Sequence, residues 1–283
     1  MYQHHWDKFR AFLSTNFPTT SSFPAEPAHI AMFLSSLQMQ SLAYSTIRTY
    51  LSAISFTHKL EGHPDPSVNF LVSKTMQGIK NQQLDKSHTR LPITKDLLTD
   101  IVDQLPFACP DIYSQHMWKA IFLVTYHACL RAGEIVLSAT SKHTLQLHHI
   151  TFRTNQAELQ LHSYKHSKGK STTVTIQAEH PDTYCPVKAL LTFLDHRQRS
   201  PGPFFIHGDK SPVTRTQFTS ILKSTLTMAG KTADSYNTHS FRVGRATQLA
   251  SDNHSDATIR SAGRWKSAAF QSYIRPQKFI MPN

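Results

Sequence analysis

The sequence has few cysteines, no long apolar run and fewer acidic than basic side chains. Its three cysteines, Cys109, Cys129 and Cys185, are far apart and form no CxxC pair. This excludes a disulfide framework and a cysteine zinc site, and it favours a reducing compartment. No stretch reaches about 18 apolar residues, so no membrane span is expected. The N-terminus lacks the basic-then-apolar order of a signal peptide, and we expect a mature intracellular chain.

The 30 lysines and arginines outnumber the 18 aspartates and glutamates, which gives a formal net charge of +12. Residues 1–88 hold seven basic and five acidic residues, whereas residues 89–283 hold 23 and 13. Because the excess lies in the second part, a polyanion is the natural partner for that part. A generically basic protein is the alternative on charge alone. The 18 histidines show no matched pairs of metal-ligand spacing, so neither a metal nor another cofactor is expected.

Apolar residues at helical spacing predict that the first part of the chain is a small all-helical unit. Ser45 is the expected N-cap of its third helix. The polar, charged segment Leu84–Pro92 predicts a linker, and therefore two domains, residues 1–88 and 89–283. The predicted helices of the first domain cover residues 2–17, 28–38, 45–60 and 68–83.

The second part mixes helices with a short strand-rich segment. Thr94 is the expected N-cap of a helix that runs to Leu105, and an apolar helix covers about residues 112–129. From Gln146 to Ile176 the pattern changes to period two, which predicts three strands. We therefore predict a mainly α (α+β) fold with a small antiparallel sheet. The later predicted helices cover residues 186–199 and 214–229 and two short segments between His239 and Arg275.

Arginine and histidine residues in two remote parts of the chain suggest a phosphate site. His239 and Arg242 are three residues apart, which puts both on one face of a helical turn, where they can hold two oxygens of one phosphate. The alternative is an ordinary helix N-terminus. Arg131 follows an apolar helix, so it reaches solvent or meets an anion. Glu134 orients Arg131 or a neighbouring basic residue, or forms only a structural pair with Arg131.

Lysines cluster between the second and third predicted strands. Lys165 lies at the exit of a strand, and Lys168, Gly169 and Lys170 form the predicted turn. A hairpin lysine can donate a proton at a backbone phosphate. A solvated basic turn is an equally good interpretation, and the spacing does not choose among the three lysines.

Two aromatic residues complete the candidate site. A phenol such as that of Tyr273 is a poor nucleophile at its free pKa of about 10, and nearby cations favour the phenolate. Trp265 offers an indole N–H to a phosphate oxygen. The alternative for both is ordinary aromatic packing with Phe270. We predict that these remote pieces fold into one phosphate-binding pocket with Tyr273 at its mouth.

Together these residues resemble the tyrosine recombinase (phage integrase-like) family over nearly the whole chain. That family has an arginine in an LRxGE context, a hairpin lysine, an HxxR, a His or Trp, and then the tyrosine. The stretch GRWKSAAFQSYIR looks most like recombinases of eukaryotic mobile elements, such as the Crypton and DIRS groups. Many bacterial members differ by having a histidine in place of the tryptophan, and nine residues rather than eight before the tyrosine. The matching residues are Arg131 in LRAGEI, Lys165, His239 with Arg242, Trp265 and Tyr273.

The resemblance implies a helical, SAM-like core-binding domain at residues 1–88 that clamps one side of the duplex, and a catalytic domain at residues 89–283. It implies a site-specific recombinase that cuts and rejoins double-stranded DNA through a 3′-phosphotyrosyl link, without metal or ATP. Mobile-element integration or excision is the implied process. A dimer or tetramer on DNA is implied, with no membrane partner. The implied location is the nucleus in a eukaryote and the cytoplasm otherwise.

The resemblance also implies roles for single residues. Tyr273 attacks the scissile phosphate, Lys165 protonates the departing 5′-oxygen, and Glu134 supports the pocket. Three alternatives stay open: a domesticated, catalytically inactive DNA-binding protein, a type IB topoisomerase-like enzyme and a pure interaction module. The non-bridging oxygens are held by Arg131 and Arg242 with His239 and Trp265, and further DNA contacts are expected from Lys168, Lys170, Arg245, Arg264, Lys266 and Arg275.

Overall fold

The computed structural model describes residues 2–83, 90–137, 144–162 and 169–275. The chain forms two compact units, Met1–His88 and Thr89–Asn283. Residues 84–89 of the predicted linker lie outside the described residues. No helix within the described ranges combines the length and the apolar character that crossing a bilayer requires.

The first unit packs its helices around an aromatic core. Trp6, Phe9 and Leu13 recur at helical spacing on the first helix and are buried. Phe9 and Phe33 meet with ring centroids 5.2 Å apart, which ties the first two helices together. The helices are α1 (Tyr2–Asn16), α2 (Pro27–Met39), α3 (Tyr44–Leu60) and α4 (Phe70–Gln82).

The predicted N-cap at Ser45 is wrong, because α3 begins at Tyr44 and its N-cap is Ala43, two residues before Ser45. The backbone N–H of Tyr44 donates to Gln83 Oε1, and Gln83 Nε2 donates to the Leu42 carbonyl at 3.0 Å. A side chain remote in sequence therefore satisfies this helix end, which no local capping motif indicates.

The second unit is built on a buried central helix, α7, whose residues from Met117 to Tyr126 are almost all inaccessible to solvent. Thr94 caps α5 as predicted, since its Oγ1 accepts from the Leu97 N–H at 3.2 Å, but that helix ends at Asp103 rather than Leu105. The helices are α5 (Lys95–Asp103), α6 (Leu105–Ala108), α7 (Ile112–His127), α8 (Ala132–Ile135), α9 (Pro186–His196), α10 (Arg215–Met228), α11 (Ser240–Ser251) and α12 (Asp256–Gly263), followed by a 3₁₀ helix (Ala268–Tyr273).

A three-stranded antiparallel sheet lies on one side of this unit, in the order β1 (Ile150–Arg153), β2 (Gln156–Leu161), β3 (Thr172–Gln177). On β2, Ala157, Leu159 and Leu161 alternate with more exposed residues and are buried. This period-two burial is the pattern that predicts a half-buried strand. The expected mainly α fold with a small antiparallel sheet is confirmed.

Candidate active site

The turn after α7 accepts hydrogen bonds from two arginine side chains. Cys129 takes a left-handed conformation at φ 48°, and the Leu130 N–H returns to the Thr125 carbonyl at 3.0 Å. Carbonyls at a helix C-terminus lack intrahelical partners and carry partial negative charge. Arg264 donates to the Ala128 and Cys129 carbonyls at 3.3 Å each, and Arg242 Nη1 also donates to the Cys129 carbonyl. The turn therefore binds two guanidinium groups by its backbone.

Arg131 and Glu134 form a close pair directly after this turn. Arg131 is the N-cap residue of α8, and its N–H donates to Glu134 Oε2 at 2.9 Å while its Nη1 donates to Oε1 at 2.9 Å. The Arg131 side chain keeps 24% exposure, whereas that of Glu134 keeps 8%. Glu134 thus fixes the arginine while leaving part of its guanidinium accessible to a ligand.

Arg242 lies on α11 and is fully buried. Its Nη2 donates to the Gly263 carbonyl at 2.8 Å, and its guanidinium carbon lies 4.7 Å from the centroid of the Trp265 ring. Its Nε is buried and has no hydrogen-bond partner among the described residues. Burial and the positive charge of Arg131 lower the Arg242 pKa. A buried cation with an unused donor is a site that an anion would stabilise.

Trp265 turns its indole back over the end of α12. A Cβ atom added at Gly263 would lie 1.7 Å from Trp265 Cζ3, so only glycine permits this approach. The Trp265 Nε1 is buried and has no partner within the described ranges. The indole therefore brings a second unused donor to the side of Arg242.

Tyr273 ends the 3₁₀ helix and meets the other site residues through its ring. Its centroid lies 4.8 Å from that of Trp265 and 4.9 Å from that of His239, and 5.9 Å from the Arg242 guanidinium carbon. Thr247 of α11 holds this segment, since its Oγ1 donates to the Tyr273 carbonyl at 3.4 Å and accepts from the Arg275 N–H at 3.0 Å. Sequence reasoning missed Thr247, which no local motif indicates.

His239 is the N-cap residue of α11, and its N–H donates to Asn237 Oδ1 at 2.8 Å. Burial of the ring and then the positive charge of Arg242 lower the His239 pKa to about 4. The residue as a whole is exposed although its ring packs on Tyr273, so solvent moderates this effect. The imidazole is neutral at physiological pH and can accept a proton.

Two further cations lie near His239. The charges of Arg215 and Arg90 both contribute to lowering the pKa of His239, and both residues are exposed. Arg215 opens α10, and its N–H donates to the Leu137 carbonyl at 2.9 Å. Sequence reasoning missed both arginines, because single basic residues at a helix start or beside a linker carry no distinctive pattern.

The structure describes one of the three lysines predicted at the hairpin, Lys170. Lys165 and Lys168 lie outside the described residues. Lys170 is exposed two residues before β3, and Lys266 is exposed directly after Trp265. Both are accessible to a polyanion.

The arginines predicted to contact DNA differ from these lysines in their exposure. Arg245 is half-buried, and its guanidinium carbon lies 5.8 Å from the Tyr126 ring centroid. Arg264 keeps only 8% side-chain exposure, because its guanidinium points inward to Glu134. Arg275 is half-buried, and its Nη1 donates to the Ser272 and Ile274 carbonyls.

The structure thus brings six of the predicted residues from distant parts of the sequence into one cluster. A profile of the phage integrase family matches residues 93–278, more than half of the chain. The chain belongs to the phage integrase family. The resemblance to tyrosine recombinases is therefore confirmed at family level, and the likeness to the Crypton and DIRS groups stays a prediction. The clustered residues are Arg131, Glu134, His239, Arg242, Trp265 and Tyr273.

Similar proteins of this family include the Cre recombinase of Escherichia phage P1, which is 30% identical over 119 residues. That match covers 40% of this chain and 33% of Cre, so the chain matches about a third of the length of this relative.

Solved structures share the fold. The Tn1549 transposon integrase in complex with circular intermediate DNA has a TM-score of 0.65 at 12% identity, covering 96% of this chain and 88% of that one. The XerH site-specific recombinase bound to its palindromic difH substrate has a TM-score of 0.66 at 16% identity, covering 94% and 72%.

Proposed function

We propose that this phage integrase family member is a tyrosine recombinase, which transfers DNA strands through a covalent phosphotyrosine. The observation that carries the proposal is the position of Tyr273. Its ring contacts His239 and Trp265, and the buried guanidinium of Arg242 lies 5.9 Å from the ring centroid. Family membership and the DNA-bound relatives of the same fold support it.

The cluster suits a phosphodiester because it holds cations and unused donors together. Arg242 Nε and Trp265 Nε1 are buried donors without a hydrogen-bond partner among the described residues. Phosphate oxygens would satisfy both, and the partly exposed guanidinium of Arg131 would add a bidentate contact. Preorganised donors of this kind stabilise the extra charge of a pentacoordinate phosphorane.

In the proposed step, Tyr273 Oη attacks the scissile phosphorus and the bond from phosphorus to the 5′-oxygen breaks. Neutral His239 takes the phenol proton, and Lys165 gives a proton to the departing 5′-oxygen. A 5′-hydroxyl from a partner strand reverses the step. The phosphotyrosyl bond conserves the energy of the phosphodiester, so the exchange needs no ATP.

Backbone contacts supply the affinity for double-stranded DNA in this proposal. Arg90 and Arg215 are exposed cations near His239, and Lys170 and Lys266 are exposed as well, so all four would neutralise phosphates. The helical first unit would clamp the duplex. Assembly as a dimer or tetramer on DNA belongs to the same proposal.

A role in mobile-element integration or excision is also part of the proposal, and the likeness to a transposon integrase supports it. Nuclear location stays a prediction.

Covalent capture from a random DNA pool tests the function and identifies the target site in one experiment. A random pool of nicked duplexes is incubated with the protein and denatured, and protein-linked strands are sequenced. Wild type and Tyr184→Phe, which removes a hydroxyl that donates to Asp103, should both yield adducts, and Tyr273→Phe should yield none. Adducts from Tyr273→Phe would show that Tyr273 is not the nucleophile.

Binding without adducts from wild type would favour an inactive DNA-binding protein. Relaxation of supercoiled DNA without site preference would favour a topoisomerase-like enzyme.

A further inference from the structure

The carboxylate of Glu134 joins two arginines that lie far apart in the chain. It accepts from Arg131 Nη1 at 2.9 Å on one oxygen and from Arg264 Nη2 at 2.7 Å on the other. The side chains of Glu134 and Arg264 are each only 8% exposed. Removing Glu134 would leave the buried guanidinium of Arg264 without its carboxylate, so the placement of Arg264 depends on Glu134.

Arg264 also bonds to the turn that holds Arg242. It donates to the Ala128 and Cys129 carbonyls at 3.3 Å each, and the Cys129 carbonyl also accepts from Arg242. Arg242 in turn donates to the carbonyl of Gly263, the residue before Arg264, at 2.8 Å. The contacts therefore close a ring that includes both arginines of the proposed phosphate site.

The backbone of Arg264 has a conformation that favours glycine. At φ 55° and ψ 42° it ends α12 in the left-handed region, and the following Trp265 N–H returns to the Arg260 carbonyl at 3.0 Å. A side chain with a Cβ is disfavoured there. The inward bonds of the guanidinium offset that cost and fix where the chain turns toward Trp265 and Tyr273.

We propose that Arg264 is a positioning residue, not a DNA contact. It fastens the segment that carries Trp265 and Tyr273 to the loop that carries Arg131, through Glu134 and the carbonyls after α7. This inference rests on the proposed strand-transfer function, since the geometry it maintains is that of the tyrosine and the two phosphate-binding arginines.

The two roles for Arg264 predict opposite effects on binding and on chemistry. A residue that contacts a phosphate contributes to affinity and to its salt dependence, and its loss reduces the salt slope by about one. A positioning residue leaves both unchanged and alters the rate once DNA is bound, because a displacement of about 1 Å in a catalytic group costs on the order of 100-fold.

The test compares Arg264→Gln and Arg264→Lys with Arg260→Gln, a matched change on the exposed surface of α12. Affinity and its salt slope are measured in a Tyr273→Phe background, and adduct formation is measured in single turnover at saturating DNA. For Arg264→Gln we expect affinity within about twofold of wild type and a rate about 100-fold lower. Arg264→Lys should recover part of the rate, since lysine can reach Glu134 but lacks the guanidinium fork. Arg260→Gln should match wild type.

A lower salt slope for Arg264→Gln, or an unchanged rate at saturation, would overturn the positioning role. A wild type that forms no adduct would instead refute the proposed function. Urea unfolding without DNA then still tests the coupling, with Glu134→Gln, Arg264→Gln and the double variant. We expect the unfolding constant of the double variant to lie within about twofold of that of the less stable single variant. Additive effects would contradict the coupling.

Discussion

Replacing Gly263 with alanine tests the placement of Trp265 most directly. The added Cβ would lie 1.7 Å from Trp265 Cζ3 and 2.1 Å from Cε3 and Cη2. Ordinary carbon contacts are about 3.5–4.0 Å, so the indole must move by about 2 Å. The Trp265 ring lies against the Arg242 guanidinium and the Tyr273 ring, at 4.7 and 4.8 Å, and its movement disturbs both.

The expected effect is a large loss of rate with a small loss of stability. A shift of more than 1 Å in a catalytic group costs on the order of 100-fold or more in the cleavage rate. Overpacking costs about 1–3 kcal/mol, and the change from glycine to alanine in the last turn of a helix offsets up to about 1 kcal/mol of that. The Gly263→Ala variant should therefore stay folded at ambient temperature.

Single-turnover adduct formation on the captured DNA site measures the effect. Gly78→Ala is the matched control, because Gly78 is also helical and a Cβ there meets nothing within 4 Å. A second arm places Gly263→Ala in a Trp265→His background. The clashing atoms belong to the six-membered ring of the indole, which imidazole lacks, so alanine should be tolerated there.

A wild-type rate for Gly263→Ala would refute this reasoning, because it would mean that the Trp265 ring does not lie over Gly263 in the active protein. An equal penalty in both backgrounds would refute it as well, since the loss would then have a cause other than the indole.

Three more predictions follow from single contacts. Thr247→Val removes the bonds to the Tyr273 segment, and we expect about tenfold slower adduct formation with unchanged DNA affinity; a lower affinity would contradict this. The lowered pKa of His239 keeps the imidazole neutral, so the wild-type rate should hold from neutral pH to about pH 5 and fall below it as the ring takes a proton. A fall already centred near pH 6.5 would argue against this environment. Tyr126→Phe removes a buried hydroxyl without a partner among the described residues, so urea unfolding should show unchanged or up to about 1 kcal/mol higher stability, and a clear loss would contradict it.

Much of the local structure could be predicted from the sequence, because it depends on residues close together in the chain. The alternation of Ala157, Leu159 and Leu161 predicts a half-buried strand, and Thr94 predicts a helix start. Ser45 failed as an N-cap because Gln83, which is remote in sequence, satisfies the start of α3. Local signals identify an element, but tertiary contacts decide where it begins.

The candidate site divides in the same way. Residue types at short spacings, such as His239 with Arg242, indicated the chemistry, because each pattern matches what a phosphate needs. The direction of a side chain depends on what packs around it. Arg264 could be predicted as a cation but not as a buried partner of Glu134, 130 residues away.

The sequence by itself determined most of the helical and strand segments, the excess of positive charge in the second part and which residues are candidates for a phosphate site. The tertiary structure alone decided that Arg242 is buried between two carbonyls, that Gly263 must lack a side chain and that Thr247 holds Tyr273. The physical reason is that composition and short-range spacing are properties of the chain. Burial, close approach and shared hydrogen bonds arise only when distant segments meet.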